Sequence, residues 1–269
     1  FFFFKQKTAY EMVLRDWSPD VCSSDLDLAA EVRGRSALPP GVHVLGDRPV
    51  EVARDARLEP GIVVDAREAP VRLGPHVEVR AFTRIEGPAD FGSHSRLLGG
   101  ALAGVSAGPY SYLHGEVQET TVLGYTNKAH DGYLGHAYVG RWVNLGALTT
   151  NSDLKNTYGT VRIWTPTGEQ DTGARKVGAL IGDHVKTGIG VLLTTGCVVG
   201  AGSNLFGTTM PPRYVPPFSW GSGADGVEVR LDAFLQTAER MMARRGIPLG
   251  ERGRRHLTAC WEAARAARA

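Results

Sequence analysis

The sequence predicts an all-β chain, a parallel β-solenoid of triangular cross-section closed by a short helical tail. Three observations carry this. Aliphatic residues recur every six positions in four separate runs. Glycine is abundant, 34 of 269 residues, without the G-X-Y period of collagen. Toward the C-terminus the apolar spacing changes to that of an amphipathic helix.

The six-residue beat is clearest in Ile181, Thr187, Leu193, Val199 and Leu205, with glycine following at Gly182, Gly188 and Gly200. It returns as Tyr133, Val139 and Leu145, as Ile85, Phe91 and Leu97, and as Val52, Leu58 and Val64. A helix repeats about every 3.6 residues and a strand every 2, so neither alone produces this beat. One short strand per hexad, three hexads to a coil, does. Residue i then stacks on i+18, as Ile181 on Val199. The inward aliphatics fill a narrow interior, and glycine permits the tight corners. A β-sandwich with irregular glycine turns is the competing fold, but it has no reason to hold one beat through four runs.

The beat breaks at residues 66–70, 101–108 and 152–176. The last break holds Thr165-Pro166-Thr167-Gly168-Glu169, a turn-rich loop expected to project from the coil. The solenoid is placed within residues 51–224, with its regular beat ending near Phe206-Gly207. The Pro-stiffened run from Met210 to Pro217 leads out of it. Residues 225–269 read as helices. Leu231, Phe234, Leu235, Ala238, Met241 and Met242 form one apolar face, Gly246 and Pro248 interrupt it, and a second helix covers about residues 251–267. Arg252, Arg254, Arg255 and Arg265 are expected on a solvated face.

Composition narrows the function classes. A net charge of +2 provides no basic excess for nucleic acid. With a mean hydropathy of −0.16 and no apolar run approaching about 18 residues, no membrane span is expected. Three cysteines, none in a CxxC pair, suit a reduced, cytoplasmic protein. At the N-terminus, Phe1 to Phe4 followed by Lys5-Gln6-Lys7 is the wrong order for a signal peptide. Lys5-Gln6-Lys7-Thr8-Ala9-Tyr10-Glu11 and the run from Asp16 to Leu26 resemble the two halves of a translated sequencing adaptor. Residues 1–26 are therefore set aside as an unfolded artefact. Residues 27–50, with Leu38-Pro39-Pro40-Gly41 and Gly46-Asp47-Arg48-Pro49, read as linker or the remnant of a preceding domain.

Polar residues concentrate between Gly124 and Gly159. So many amides and charges are costly if buried unpaired. Asn ladders at solenoid corners account for some of them. His130, with Lys128 before it and Asp131 after, is less easily explained that way. An imidazole titrates near neutrality and can take the proton from an amine as its nitrogen bonds to an acyl carbon. A surface or structural histidine is the alternative.

Here the sequence resembles a known family. The beat with Asn127-Lys128-Ala129-His130 through Tyr133-Leu134-Gly135, then Val143-Asn144-Leu145-Gly146-Ala147, is similar to the acetyltransferase half of the bifunctional N-acetylglucosamine-1-phosphate uridyltransferase / glucosamine-1-phosphate acetyltransferase family. The runs from Asn151 to Asn156 and from Lys186 to Gly190 resemble a variant bacterial branch of it. So do Met210-Pro211-Pro212 and the run from Val215 to Gly221. The resemblance implies a left-handed β-helix that assembles as a homotrimer and binds acetyl-CoA and an amino-sugar phosphate between subunits. It implies His130 as the catalytic base, and acceptor contacts from Tyr133, Asn144 and Lys176. Asn127, Lys128, Asn151, Asp153 and Lys155 join them as candidate substrate contacts. Ala147 matches a backbone contact to the thioester or coenzyme A, with Gly188, Ile189 and Gly207 as further candidates there. Mg2+ is implied only for a nucleotidyltransferase half ahead of the solenoid.

Two departures stand out. Where the family places basic residues against the sugar phosphate, this sequence has Tyr112 and Glu119, and a phosphate prefers charge-assisted donors. Lys128, Lys155 or Arg141 are the candidates to compensate. Two other readings stay open. One is a trimerising or regulatory module without chemistry. The other is a zinc lyase using His130, His136 and His184 across a subunit interface.

Overall fold

The computed structural model describes residues 31, 32, 34, 36–224 and 227–268. The adaptor-like segment and the first residues of the expected linker lie outside them. Among the described residues the chain winds as a left-handed β-helix and ends in two helices, α1 (Leu231–Ala243) and α2 (Gly250–Ala266). None of the described helices is long and apolar enough to cross a membrane.

Parallel pairing carries each coil onto the next, and three inward columns fill the interior. One runs Val52, Leu73, Phe91, Ala107, Val122, Val139, Ile181, Val199 and Val215. A second runs Val44, Val64, Ile85, Leu102, Val117 and Leu134. A third begins Leu58, Val79, Leu97 and Leu113. Ile85, Phe91 and Leu97, read from the beat as three sides of one coil, are all fully buried. Burial of this kind contributes about 25 cal/mol per Å2 of apolar surface.

The coils differ from the sequence expectation in several ways. Ile181 does stack on Val199, eighteen residues on. The offset is fifteen at Gly100 and Gly115 and twenty-one at Val50 and Val71. Residues 101–108 are no interruption: most lie in the strand Arg96–Ala107, whose Leu102, Val105 and Ala107 are buried. Tyr133 does not point inward; Leu134 takes that place. The first coil starts at Val42–Leu45, within the expected linker, because Val42 and Val44 already pack against the core. Coiling also continues past Gly207, since Tyr214–Val215 pairs with Val198–Val199 and Trp220–Gly221 with Asn204–Leu205.

The corners are not all glycine either. His76, His94, Tyr110, Tyr125, Trp142 and His184 occupy one corner in successive coils, each with φ between 53° and 61°. That left-handed conformation is costly for residues with a Cβ. Here it aligns the rings into a stack with centroids 4.3–6.4 Å apart.

The break at 152–176 is an excursion, as expected. Tyr138 pairs with Leu180, forty-two residues on. The extra chain forms an antiparallel hairpin, Arg162–Thr165 with Gly168–Asp171, over a small core of Val161, Ile163, Val177 and Leu180. At the C-terminus, Phe234, Leu235 and Ala238 of α1 are buried. Phe234 meets Phe218 and His184 edge-on, and Trp261 of α2 donates to the Val229 carbonyl at 2.8 Å. Met242 packs against this cluster. Arg252, Arg254, Arg255 and Arg265 are exposed.

Candidate functional site

The residues singled out in the sequence divide among four places. The first is a surface cavity of about 440 Å3 lined by Arg80, Leu98, His114, Ala129, His130, Asp131, Ala147 and Leu148. His130 and Ala147, predicted as base and thioester contact, thus share one cavity. They come from adjacent coils because Leu145 donates to the Asn127 carbonyl at 2.8 Å and Leu148 to that of Asp131 at 2.8 Å. His114 belongs here too. Its Nε2 is 3.0 Å from the Asp131 carboxylate and its Nδ1 3.0 Å from the Leu98 carbonyl, so both ring nitrogens face acceptors. His114 and Arg80 do not stand out in the sequence. They lie one and three coils away from His130, and a fixed count of eighteen brings neither into register with it.

The predicted coenzyme A contacts continue from this cavity. Asn144 pairs with Lys186 and Thr187 with Leu205, so Ala147, Ile189 and Gly207 follow one another on successive coils. Gly146 and Gly188 stack closely: a Cβ on Gly146 would sit 2.5 Å from the Gly188 carbonyl oxygen. Ile189 is 78% exposed. Gly207 has φ +123° and open space beside it.

The second place is where the hairpin leaves the coil. Tyr133 donates its hydroxyl to Asp153 at 2.8 Å, and His136 Nδ1 lies 2.7 Å from the same carboxylate oxygen. Burial raises the Tyr133 phenol, reinforced by Asp153. Burial lowers His136 against the pull of Asp153, and the nearby Lys176 lowers it further. Lys176 is placed by the bridge of its backbone to Leu154. Tyr133, Asp153 and Lys176 were predicted; His136 joins them here.

The third place is an outward ladder on another face. Asn127 donates to Asn144 at 3.0 Å. Tyr112 is the next rung below and Lys186 the next above. Tyr112, one of the two departures from the family pattern, lies under two guanidiniums: Arg245, 3.9 Å from the ring centroid, and Arg96, 5.1 Å. Glu119, the other, sits against Gly104 of the coil below, where an added Cβ would come within 2.4 Å of its carboxylate.

The fourth place is the interior, which holds two of the candidate substrate contacts. Lys128 is 2% exposed and Asn151 1%. Lys128 continues the third inward column after Leu113, with Leu145 above it. Asn151 enters the second column beneath Leu193. Its amide accepts from the Gly135 N–H and donates to the Gly135 carbonyl, both at 2.9 Å. Lys155 is also spent locally, donating to the Thr160 carbonyl within the excursion. Neither Lys128 nor Lys155 is among the residues that line the cavity. The basic side chain that lines it is Arg80, and Arg141, the third candidate, is not among its lining residues.

His130, His136 and His184 occupy three separate positions within one chain: the cavity, the Asp153 pair, and the buried end of the aromatic corner stack. Among the described residues no three metal-ligating side chains cluster.

No family model matches the chain. Curated proteins do. A bifunctional sugar-1-phosphate nucleotidylyltransferase/acetyltransferase of Sulfurisphaera tokodaii is 32% identical over 91 residues, 34% of this chain and 23% of that protein. The bifunctional protein GlmU of Acaryochloris marina is 26% identical over 184 residues, 68% of this chain and 35% of its own length. GlmU of Methylibium petroleiphilum is 29% identical over 205 residues, 72% of this chain and 36% of its own. The chain thus spans a quarter to two fifths of the length of such relatives. With a β-helix on one side and these alignments on the other, the chain is similar to the bifunctional GlmU proteins over the part that matches their acetyltransferase half.

Proposed function

We propose that this chain is an acetyl-CoA-dependent N-acetyltransferase acting on an amino-sugar phosphate of the glucosamine 1-phosphate type, with His130 as general base. The observation that carries the proposal is the sharing of one cavity by His130 and Ala147. Above it, the edge formed by Ala147, Ile189 and Gly207 offers backbone and an exposed aliphatic side chain to an extended pantetheine arm. The sugar amine attacks the thioester carbonyl carbon. His130 accepts the proton released as the C–N bond forms. The tetrahedral intermediate then collapses, the C–S bond breaks, and the coenzyme A thiolate leaves and takes up that proton. Arg80 supplies the cationic group for an anionic part of the ligand. Tyr133, Asp153, His136 and Lys176, with Asn127 and Asn144, are assigned to acceptor recognition.

Phe82, Leu148, Ile189 and Leu192 are each about half or more exposed. Exposed apolar side chains of this size favour a subunit contact, and we assign them to a homotrimer in which a neighbour completes the acceptor site. The cytoplasm, where acetyl-CoA is made and used, is the compartment this chemistry requires. The nucleotidyl transfer named for the relatives, and the Mg2+ it uses, is not assigned to any residue described here.

The test is coenzyme A release with glucosamine 1-phosphate. Wild type is expected to turn over, and His130→Ala to lose at least about a hundredfold in kcat with its sedimentation unchanged. Wild type that releases no coenzyme A with any amino sugar would defeat the proposal. It would favour a trimerising module without chemistry.

A further inference from the structure

The inward column Leu58, Val79, Leu97, Leu113, Lys128, Leu145, Thr187, Leu205 contains one charged residue. An aliphatic side chain there would continue the packing on both sides. A buried ammonium is costly and is kept only where it is well paired. Lys128 is well paired. Its Nζ donates to the His114 carbonyl at 2.8 Å and to the His130 carbonyl at 2.5 Å. Room for the ammonium comes from Gly115, at φ +83°, where a Cβ would sit 3.2 Å from Nζ. Burial brings the Lys128 ammonium down to about 8, with the Asp131 carboxylate acting against that fall. The two carbonyls belong to the two histidines that line the His130 cavity.

We propose that Lys128 is a positioning residue. From inside the coil, its ammonium ties the backbone of the His130 corner to that of the His114 corner, and so fixes the two imidazoles relative to each other in the cavity. The catalytic part of this claim rests on the assignment of His130 as base. Proton transfer needs the imidazole within hydrogen-bond reach of the amine, and a small displacement lowers the rate steeply.

The experiment uses Lys128→Met and Lys128→Leu, both compatible with an aliphatic column. Each is compared with wild type by thermal melting, by coenzyme A release with glucosamine 1-phosphate, and by NMR of the histidine ring nitrogens. Both variants are expected to fold. Their kcat should fall about tenfold or more while the KM for acetyl-CoA stays within about threefold, and the ring signals of His130 and His114 should move or broaden. Folded variants with wild-type ring signals, or with wild-type kcat, would overturn the proposal. Failure of both variants to fold would also overturn it, by making Lys128 a structural residue. If wild type itself releases no coenzyme A, the acetylation assignment falls separately. The ring signals then decide alone: altered signals support the tie, and unaltered ones refute it.

Discussion

Two stretches of the same solenoid are built differently. Up to Val122 the three inward columns are apolar throughout, from Val44, Val52 and Leu58 to Val117, Val122 and Leu113. Between residues 128 and 193 the same columns admit Lys128, Asn151 and Thr187, all buried. In the first stretch the inward side chains act through area. In the second, three of them bind backbone: Lys128 the carbonyls of His114 and His130, Asn151 both polar groups of Gly135, and Thr187 the Gly146 N–H at 2.9 Å. The polar coils are also those that carry His130, Ala147, Tyr133 and Asp153. Apolar packing is given up where backbone must be held in place.

The largest stability effect is expected in the apolar stretch. Leu97→Ala removes a fully buried side chain from a closed column and should cost about 2–5 kcal/mol in denaturant unfolding. Asn151→Leu is the sharper test, because it makes the interior more apolar. It should nonetheless destabilise by about 1–3 kcal/mol, since the Gly135 N–H and carbonyl lose their partner. A stabilised Asn151→Leu would remove the distinction between the two stretches. Thr187→Val keeps shape and loses the bonds to the Gly146 N–H and the Thr149 hydroxyl; about 1 kcal/mol is expected.

The smallest effect near neutrality is a slope in pH. His184 is buried in the corner stack, its Nδ1 has no hydrogen-bond partner, and burial brings it down to about 3. The unfolded chain binds this proton below its ordinary value of about 6.5, and the folded chain does not. Stability should therefore decline as pH falls from about 6.5 toward 3. His184→Phe, which retains an aromatic ring between Trp142 and Phe234, should flatten that decline. An unchanged slope in urea melts across pH 7 to 4 would rule His184 out as its source.

The contrast between the stretches also explains what could be read from the sequence. The apolar coils announce themselves because every inward residue is aliphatic, so Ile85, Phe91 and Leu97 were found directly. The six-residue beat places Tyr133 inward, while Leu134 beside it makes the packing contact. The family resemblance makes Lys128 and Asn151 candidate ligand contacts, and only the register reveals that they point inward. His114 and Arg80 could not be joined to His130, because the coil length varies from fifteen to twenty-one residues and a pairing scheme is needed to count across coils. The aromatic corner was hidden for a similar reason: its residues are single, widely spaced, and in a backbone conformation that sequence patterns assign to glycine.

In a crystal structure of the chain with coenzyme A, the thiol end is expected in the cavity between His130 and Ala147, with the pantetheine arm running along Ile189 toward Gly207. Coenzyme A seated elsewhere, for example on the Tyr112 face beneath Arg245, would contradict that placement.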